Sequence, residues 1–272
     1  MSRVLFNAVE LDQPRIPVVL KDINTYLIVG SPRTGSTLLC SMLALTAKYG
    51  IPYEYFNPGA HIAKRLSCLT EVLPRNRSPR KRVQTDKYLN ELLALRTTQP
   101  NMAWGVKTFV KHFAWMYSCS TGRELVHQSK FIHIERRDKL DLAVSMHIAM
   151  QTGKWSTLTK RTAEPDPVEY NFNAIQHFYN LAHSQEGYWS ALESKLGLDF
   201  HRIFYEDLVF DPLTVGNGLM KFLTGVESQI DFSTDPEVVK LEPQAHELNA
   251  RFKLQFLNDL DFSKDKTIGW FR

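Results

Sequence analysis

The eight residues Gly30–Thr37, G-S-P-R-T-G-S-T, concentrate more chemistry than any other stretch of the chain. They match the phosphate-loop pattern G-x-x-x-x-G-K-[ST] at both glycines and at the final hydroxyl residue, but Ser36 stands where the lysine belongs. A loop of this kind between a strand and a helix aims backbone N–H groups and the positive helix end at an anion. Gly35 permits close backbone approach, Ser36 and Thr37 add hydroxyl donors, and Arg33 adds a planar cation suited to bidentate contact with an oxyanion. The lysine of that pattern normally reaches the β- and γ-phosphates, so its absence argues against ATP hydrolysis. The competing reading is an ordinary tight turn with Gly35 at the bend.

Three further clusters stand out. Arg136-Arg137-Asp138 is followed by Ser145, so that an arginine after a strand and a serine two helical turns on can address one phosphate. Tyr205-Glu206-Asp207-Leu208, with Asp211-Pro212 just beyond, marks a strand-to-helix passage. Glu54 lies in the aromatic segment Pro52-Tyr53-Glu54-Tyr55-Phe56, where partial desolvation is expected to raise its pKa toward the range useful for a general base. Read without other support, Glu54 is more simply an exposed loop acid. His61, His112, His133 and His147 are rival bases. Of these, His133 alternates inside an apolar strand and reads as a core histidine, while helical spacing sets His147 on a different face from Ser145. Lys107, at the end of Trp104-Gly105-Val106-Lys107, is a candidate cation for a leaving group.

The elements that must position these residues follow from periodicity. Ile23–Gly30 is an apolar run ending in glycine, as expected of a buried parallel strand, and Thr37–Tyr49 repeats at helical spacing. Further strands are predicted at Lys130–Glu135, Phe200–Tyr205 and Ala103–Thr108, with helices at Lys139–Gln151, Pro212–Leu223 and over 85–97, 166–195 and 235–258. Residues 1–22 read as a leader broken by Pro14 and Pro17, with a short strand at Val18–Leu20. Short apolar strands alternating with helices give an α/β fold with a mostly parallel sheet, and such folds bind ligands at the carboxyl ends of their strands. The residues just after Gly30, Glu135 and Tyr205 are therefore the ones to watch.

Composition sets the limits. The 272 residues are 43% hydrophobic and 23% charged, enough to build a full core, and neither a repeat nor a low-complexity linker interrupts them, so one domain over 1–272 is expected. The longest apolar stretches are far too short to span a membrane, and the N-terminus has no signal-like apolar region. Cys40, Cys68 and Cys119 are an odd number without close pairing, which argues against a disulfide framework or a zinc site and for a reducing, cytoplasmic setting. The net charge of +4 sits entirely in residues 74–87, which hold Arg75, Arg77, Arg80, Lys81, Arg82 and Lys87 against Asp86. That is either a solvated face or a mouth attractive to anions, and it lacks the broad basic surface with interleaved aromatics of a nucleic-acid binder.

Taken in order, SPRTGSTLL, PYEYF, WGVK, IHIERRD…AVS, QTGKW and YEDL…DP resemble the sulfotransferases that use 3′-phosphoadenosine 5′-phosphosulfate (PAPS), and most nearly the bacterial trehalose 2-sulfotransferase family. The resemblance covers roughly residues 24–256. It implies a P-loop-like three-layer sandwich with a central, mostly parallel sheet. It implies further that Arg33, Thr34, Gly35, Ser36 and Thr37 hold the phosphosulfate, and that Arg136 or Arg137 with Ser145 holds the 3′-phosphate, Arg136 fitting the trehalose-type spacing. By the same resemblance Tyr205 belongs to the cofactor site, Glu54 is the general base, and Arg33 and Lys107 serve the leaving phosphate without a metal. Phe56, Trp155 and Tyr170 are aromatic candidates for holding a sugar or glycolipid acceptor, and the relatives imply a homodimer. Near the C-terminus Pro243 replaces the arginine that relatives carry before Gln244-Ala245. Two other readings stand beside this one, a P-loop-type kinase that needs an acid such as Asp207 for Mg²⁺, and a non-catalytic binder on the same fold.

Overall fold

The computed structural model describes residues 16–46, 48–57, 79–155, 167–227 and 247–260, with 79–84 as backbone only. Four strands, β1 (Asn24–Gly30), β2 (Ala103–Thr108), β3 (Lys130–Glu135) and β4 (Phe200–Phe204), form one sheet in the order β2-β1-β3-β4. Every pairing is parallel, with Ile28 opposite Lys107 across β1 and β2, Gly30 opposite Ile134 across β1 and β3, and Glu135 opposite Phe204 across β3 and β4. The helices are α1 (Ser36–Leu45), α2 (Pro79–Arg96), α3 (Val110–Met116), α4 (Ser120–Gln128), α5 (Lys139–Thr152), α6 (Phe172–Leu196), α7 (Tyr205–Phe210), α8 (Pro212–Thr224) and α9 (Glu247–Asp259).

Period-two alternation divides the strand side chains between two cores. Leu27, Val29, Val106 and Phe131 enter one with Leu89 and Leu92 of α2 and Trp189 of α6. Tyr26, Ile28, Ile132 and Ile134 enter the other with Leu39 and Leu43 of α1 and Leu219 of α8. Helices therefore cover both faces of a parallel sheet, which is the three-layer α/β arrangement expected, and β1, β2 and β3 are buried on both faces while the edge strand β4 is only partly so.

The structure falls into two compact units. The first, Met1–Arg137 with Gln185–Leu241, holds the whole sheet. The second, Asp138–Ser184 with Glu242–Arg272, has its own core of Ala143, Val144, Ile175, Phe252 and Phe256. The chain leaves the first unit after β3 and returns along α6, so neither is continuous in sequence and no linker composition could mark the boundary.

Most predicted elements are found in type and place, residues 235–246 of the helix predicted over 235–258 lie outside the described residues, and the other departures have local causes. α1 ends at Leu45 rather than running to Tyr49, with the Thr46 hydroxyl bonding back to the Leu43 carbonyl at 2.6 Å. In place of a strand at Val18–Leu20 there is one 3-10 turn, Leu20–Asp22, flanked by extended residues that pack Val18 and Leu20 onto the first core. Helices α3, α4 and α7, absent from the sequence reading, are seven, nine and six residues long. Pieces that short leave little periodicity to read, and tertiary packing stabilises them. Pro14, His61, Cys68, Arg75, Arg77 and Pro243-Gln244-Ala245 lie outside the described residues, as do the side chains of Arg80, Lys81 and Arg82. No helix among the described residues is long and apolar enough to cross a membrane.

Candidate active site

Strand order places the site. From β1 the chain runs to β2 on one side, and from β3 to β4 on the other, so the carboxyl ends of β1 and β3 flank a topological switch point, where α/β sheets open a crevice. Gly30 ends β1 and Arg136 follows β3 directly. The loop between β1 and α1 bends sharply there. Arg33 takes a left-handed φ of 70°, and the Thr34 hydroxyl donates to the Ser31 carbonyl at 2.8 Å. Gly35 takes φ 80°, and a Cβ at that position would meet the Tyr205 ring at 2.5 Å, so only glycine lets the loop turn under the ring.

Two guanidinium groups converge on this loop. Arg136 donates to the Arg33 carbonyl at 3.3 Å and lies over the Tyr205 ring, 4.6 Å from its centroid. Burial first, and then the neighbouring Arg136 charge, lowers the pKa of Arg33 from its ordinary value. Arg137 faces elsewhere. It is exposed, stacks over Phe204 at 4.1 Å and forms a bidentate pair with Asp207, both contacts 2.7 Å. The strand's alternation separates the two arginines, and Arg136 is the one turned toward the loop.

A third group arrives from β2. Lys107, 7% exposed, sits 2.6 Å from the Glu54 carboxylate and donates to the Thr37 hydroxyl at 3.1 Å. A lysine thus reaches the loop from the neighbouring strand, while Ser36 holds the usual lysine position in sequence. Glu54 owes its place to its flanks: the Lys107 amide donates to the Tyr53 carbonyl at 3.1 Å, which docks the segment on β2. Tyr55 and Phe56 are fully buried, with Tyr55 donating to the Ile51 carbonyl and accepting at its own carbonyl from the Tyr88 hydroxyl. The aromatic residues point inward and the carboxylate between them is left at the surface of the core, 18% exposed.

The expected rise in the Glu54 pKa is not what this geometry gives. Burial does oppose ionisation, but the Lys107 charge and hydrogen bond outweigh it, with help from the Asn57 amide at 2.5 Å, and the carboxyl lies below its ordinary range. Lys107 is the mirror case, since burial would lower it but Glu54 raises it. Both are charged at neutral pH. His112, on α3, has its pKa lowered by burial despite Glu54 and is neutral there.

The remaining candidates fall as follows. Phe56 is a core residue, packed edge-on against Tyr88 and Trp115, so no ring face is open to a sugar and its acceptor-stacking role is corrected to a structural one. His133 is buried in β3 with Nδ1 contacting Glu135 and Arg202, a core histidine. In the second unit, Ser145 is buried on α5, and His147 is tied to the Glu169 carbonyl and Gln151, both at 2.8 Å. There too, Tyr170 packs on Phe252 and donates to Asp259 at 2.8 Å, while Trp155 is 45% exposed. Sequence reading missed Asn57 on Glu54 and Trp189, whose indole N–H donates to the Gly30 carbonyl at 3.2 Å. Asn57 follows the Pro52–Phe56 segment at once and was within reach of inspection, whereas nothing local ties Trp189 to a loop 159 residues away.

Fold and site together describe a parallel α/β protein in which a sharply turned, arginine-flanked loop lies beside an ionised carboxylate–lysine pair. The family model of the Stf0 sulphotransferases matches residues 25–255, and the chain belongs to that family and is a sulfotransferase. It is 26% identical over 211 residues to trehalose 2-sulfotransferase of Mycobacterium tuberculosis strain Erdman, covering 65% of this chain and 75% of the relative. It is 27% identical over 204 residues to trehalose 2-sulfotransferase of Mycolicibacterium smegmatis, covering 61% and 71%. Among solved structures, the sulfotransferase domain from the curacin biosynthetic pathway overlays with a TM-score of 0.45 at 19% identity, covering 85% of this chain and 80% of that one.

Proposed function

We propose that this sulfotransferase moves a sulfuryl group from PAPS to a hydroxyl of a carbohydrate or glycolipid acceptor, with Glu54 as general base. The observation that carries the reading is the chain of contacts Glu54–Lys107–Thr37, which ties a carboxylate to an anion loop through one cation. The loop suits a phosphosulfate: it carries Arg33 and meets Arg136, and the Ser31 hydroxyl is buried without a hydrogen-bond partner among the described residues. The donor, when bound, supplies a sulfur whose bond to a phosphate oxygen breaks as the acceptor oxygen attaches. Arg33, Thr34, Gly35, Ser36 and Thr37 hold the phosphosulfate, and Arg136 takes the 3′-phosphate. Arg137, engaged with Asp207, is the weaker candidate. Tyr205 supports both Gly35 and Arg136.

Glu54 is ionised at neutral pH and so stands in its proton-accepting form. When it takes the acceptor's hydroxyl proton, its charge is cancelled and the Lys107 cation is no longer balanced. That cation then turns to the leaving phosphate oxygen on the Thr37 side, so proton removal and leaving-group stabilisation rise together. The proton passes from Glu54 to solvent. Lys107, Arg33 and Arg136 supply the positive charge this scheme uses, so it calls on no metal. Ser145 keeps the cofactor role that the resemblance gives it, and Trp155 and Tyr170 stay as aromatic candidates for the acceptor. A homodimer in the cytoplasm, each chain acting as a single catalytic domain, completes the proposal. The kinase alternative needs Asp207, whose carboxylate is occupied by Arg137.

Calorimetric titration tests the donor half. 3′-Phosphoadenosine 5′-phosphate (PAP) should bind tightly, AMP much more weakly, and Arg136→Ala should abolish the difference. Preference for Mg-ATP over PAP would overturn the reading. Transfer of labelled sulfate from PAPS to trehalose, other sugars and glycolipids tests the acceptor half.

A further inference from the structure

The tandem Arg136-Arg137 is degenerate in sequence, and a slip of one residue at the end of β3 would exchange the two side chains. The structure holds them apart at four points. Arg136 lies on Tyr205 and Arg137 on Phe204, two successive rings at the end of β4. The Arg137 amide donates to both carboxylate oxygens of Glu206, at 3.0 and 3.1 Å, and its guanidinium is gripped by Asp207. The Arg137 amide belongs to the same peptide group as the Arg136 carbonyl, so the clamp fixes the backbone on the far side of Arg136, while β3 fixes the near side.

We propose that Glu206 and Asp207 are positioning residues of the nucleotide site, which act through Arg137 to keep Arg136 turned toward the phosphate loop. The inference rests on the assignment of Arg136 to the 3′-phosphate. Two carboxylates next to an anion site repel its ligand, which makes them a liability unless they do something else. Exposed as it is, the Arg137–Asp207 pair adds little to folding. What it does is restrict an arginine that would otherwise lose side-chain and backbone freedom when the ligand binds.

This gives a test in which the sign decides. By charge alone, Glu206→Gln or Asp207→Asn removes a negative charge beside the site and should tighten PAP binding. Loss of a brace should weaken it. We expect each variant to weaken PAP about fivefold while AMP, which lacks the 3′-phosphate, changes less than about twofold. The charge swap Arg137→Asp with Asp207→Arg should recover most of the loss shown by Arg137→Asp alone, which a purely structural defect would not do. PAP and AMP are titrated calorimetrically on each variant, with Arg136→Ala alongside. Unchanged or tighter PAP binding in both Glu206→Gln and Asp207→Asn, with Arg136→Ala still losing the PAP preference, overturns the brace alone. If Arg136→Ala keeps that preference, the 3′-phosphate assignment fails and the inference falls with it.

Discussion

The Glu54–Lys107 pair lends itself to a double-mutant cycle built from Glu54→Gln, Lys107→Met and the combination. At 2.6 Å, two unit charges attract by roughly 6 kcal/mol at an effective dielectric near 20. With side chains only 18% and 7% exposed, desolvation of both ions offsets much of that gain. Either single variant strands a charge in a poorly hydrated place and should cost about 3 kcal/mol of folding stability. The double variant strands neither, so its cost should fall short of the sum of the singles by about 2–3 kcal/mol. Urea denaturation followed by circular dichroism reads all four corners. In sulfate transfer, each single variant should lose about a hundredfold or more in kcat/KM, with the double little worse than the poorer single, because the two groups act as one device. Additivity in stability to within about 0.5 kcal/mol would refute the reasoning, since it would mean that the two charges do not feel each other.

Four further outcomes follow from the same geometry. Lys107→Met should move the acidic limb of the kcat/KM profile upward in pH, because burial, no longer outweighed, raises the Glu54 pKa that Lys107 holds down, and an unmoved limb would count against Glu54 as the base. The linkage has a matching sign: Glu54's folded-state pKa lies below its ordinary value, so its stabilisation is present above that ordinary value and is lost as pH falls through the folded one, a loss that Glu54→Gln should remove from an acid titration of stability. Gly35→Ala combines a left-handed φ of 80° with a Cβ 2.5 Å from the Tyr205 ring, and should cost about 1–3 kcal/mol in thermal unfolding and at least tenfold in PAP affinity. Trp189→Phe keeps the buried ring but strips the Gly30 carbonyl of its donor, and should cost about 1–2 kcal/mol with weaker PAP binding as the loop loosens.

Strands β2 and β3, the helix that follows β3 and the loop glycines were legible because their signals are local. A run such as Lys130–Glu135 states its own burial, and a glycine between Thr34 and Ser36 states its own turn. The identity of the chemistry-bearing residues was legible too, as side-chain types at characteristic spacings. Their partners were not. Lys107 and Thr37 are 70 residues apart, Arg137 and Asp207 likewise, and Trp189 meets Gly30 across 159 residues. Only the strand order β2-β1-β3-β4 brings these positions together, and strand order is a property of chain-wide packing that no short window encodes.

The same distinction explains the two expectations about the site that changed. Desolvation of Glu54 follows from its aromatic neighbours and was visible in Pro52–Phe56, but the sign of its pKa shift depends on a cation from another strand. Phe56 looked available for a sugar because sequence gives a residue's polarity and not its exposure, and the folded core encloses its ring completely. By itself the sequence determined which groups this sulfotransferase has at hand and which elements carry them. Tertiary structure decided which charges meet, and with them the protonation state of Glu54 and the direction each arginine faces, because electrostatic energy depends on distances that parallel strand pairing sets between remote parts of the chain.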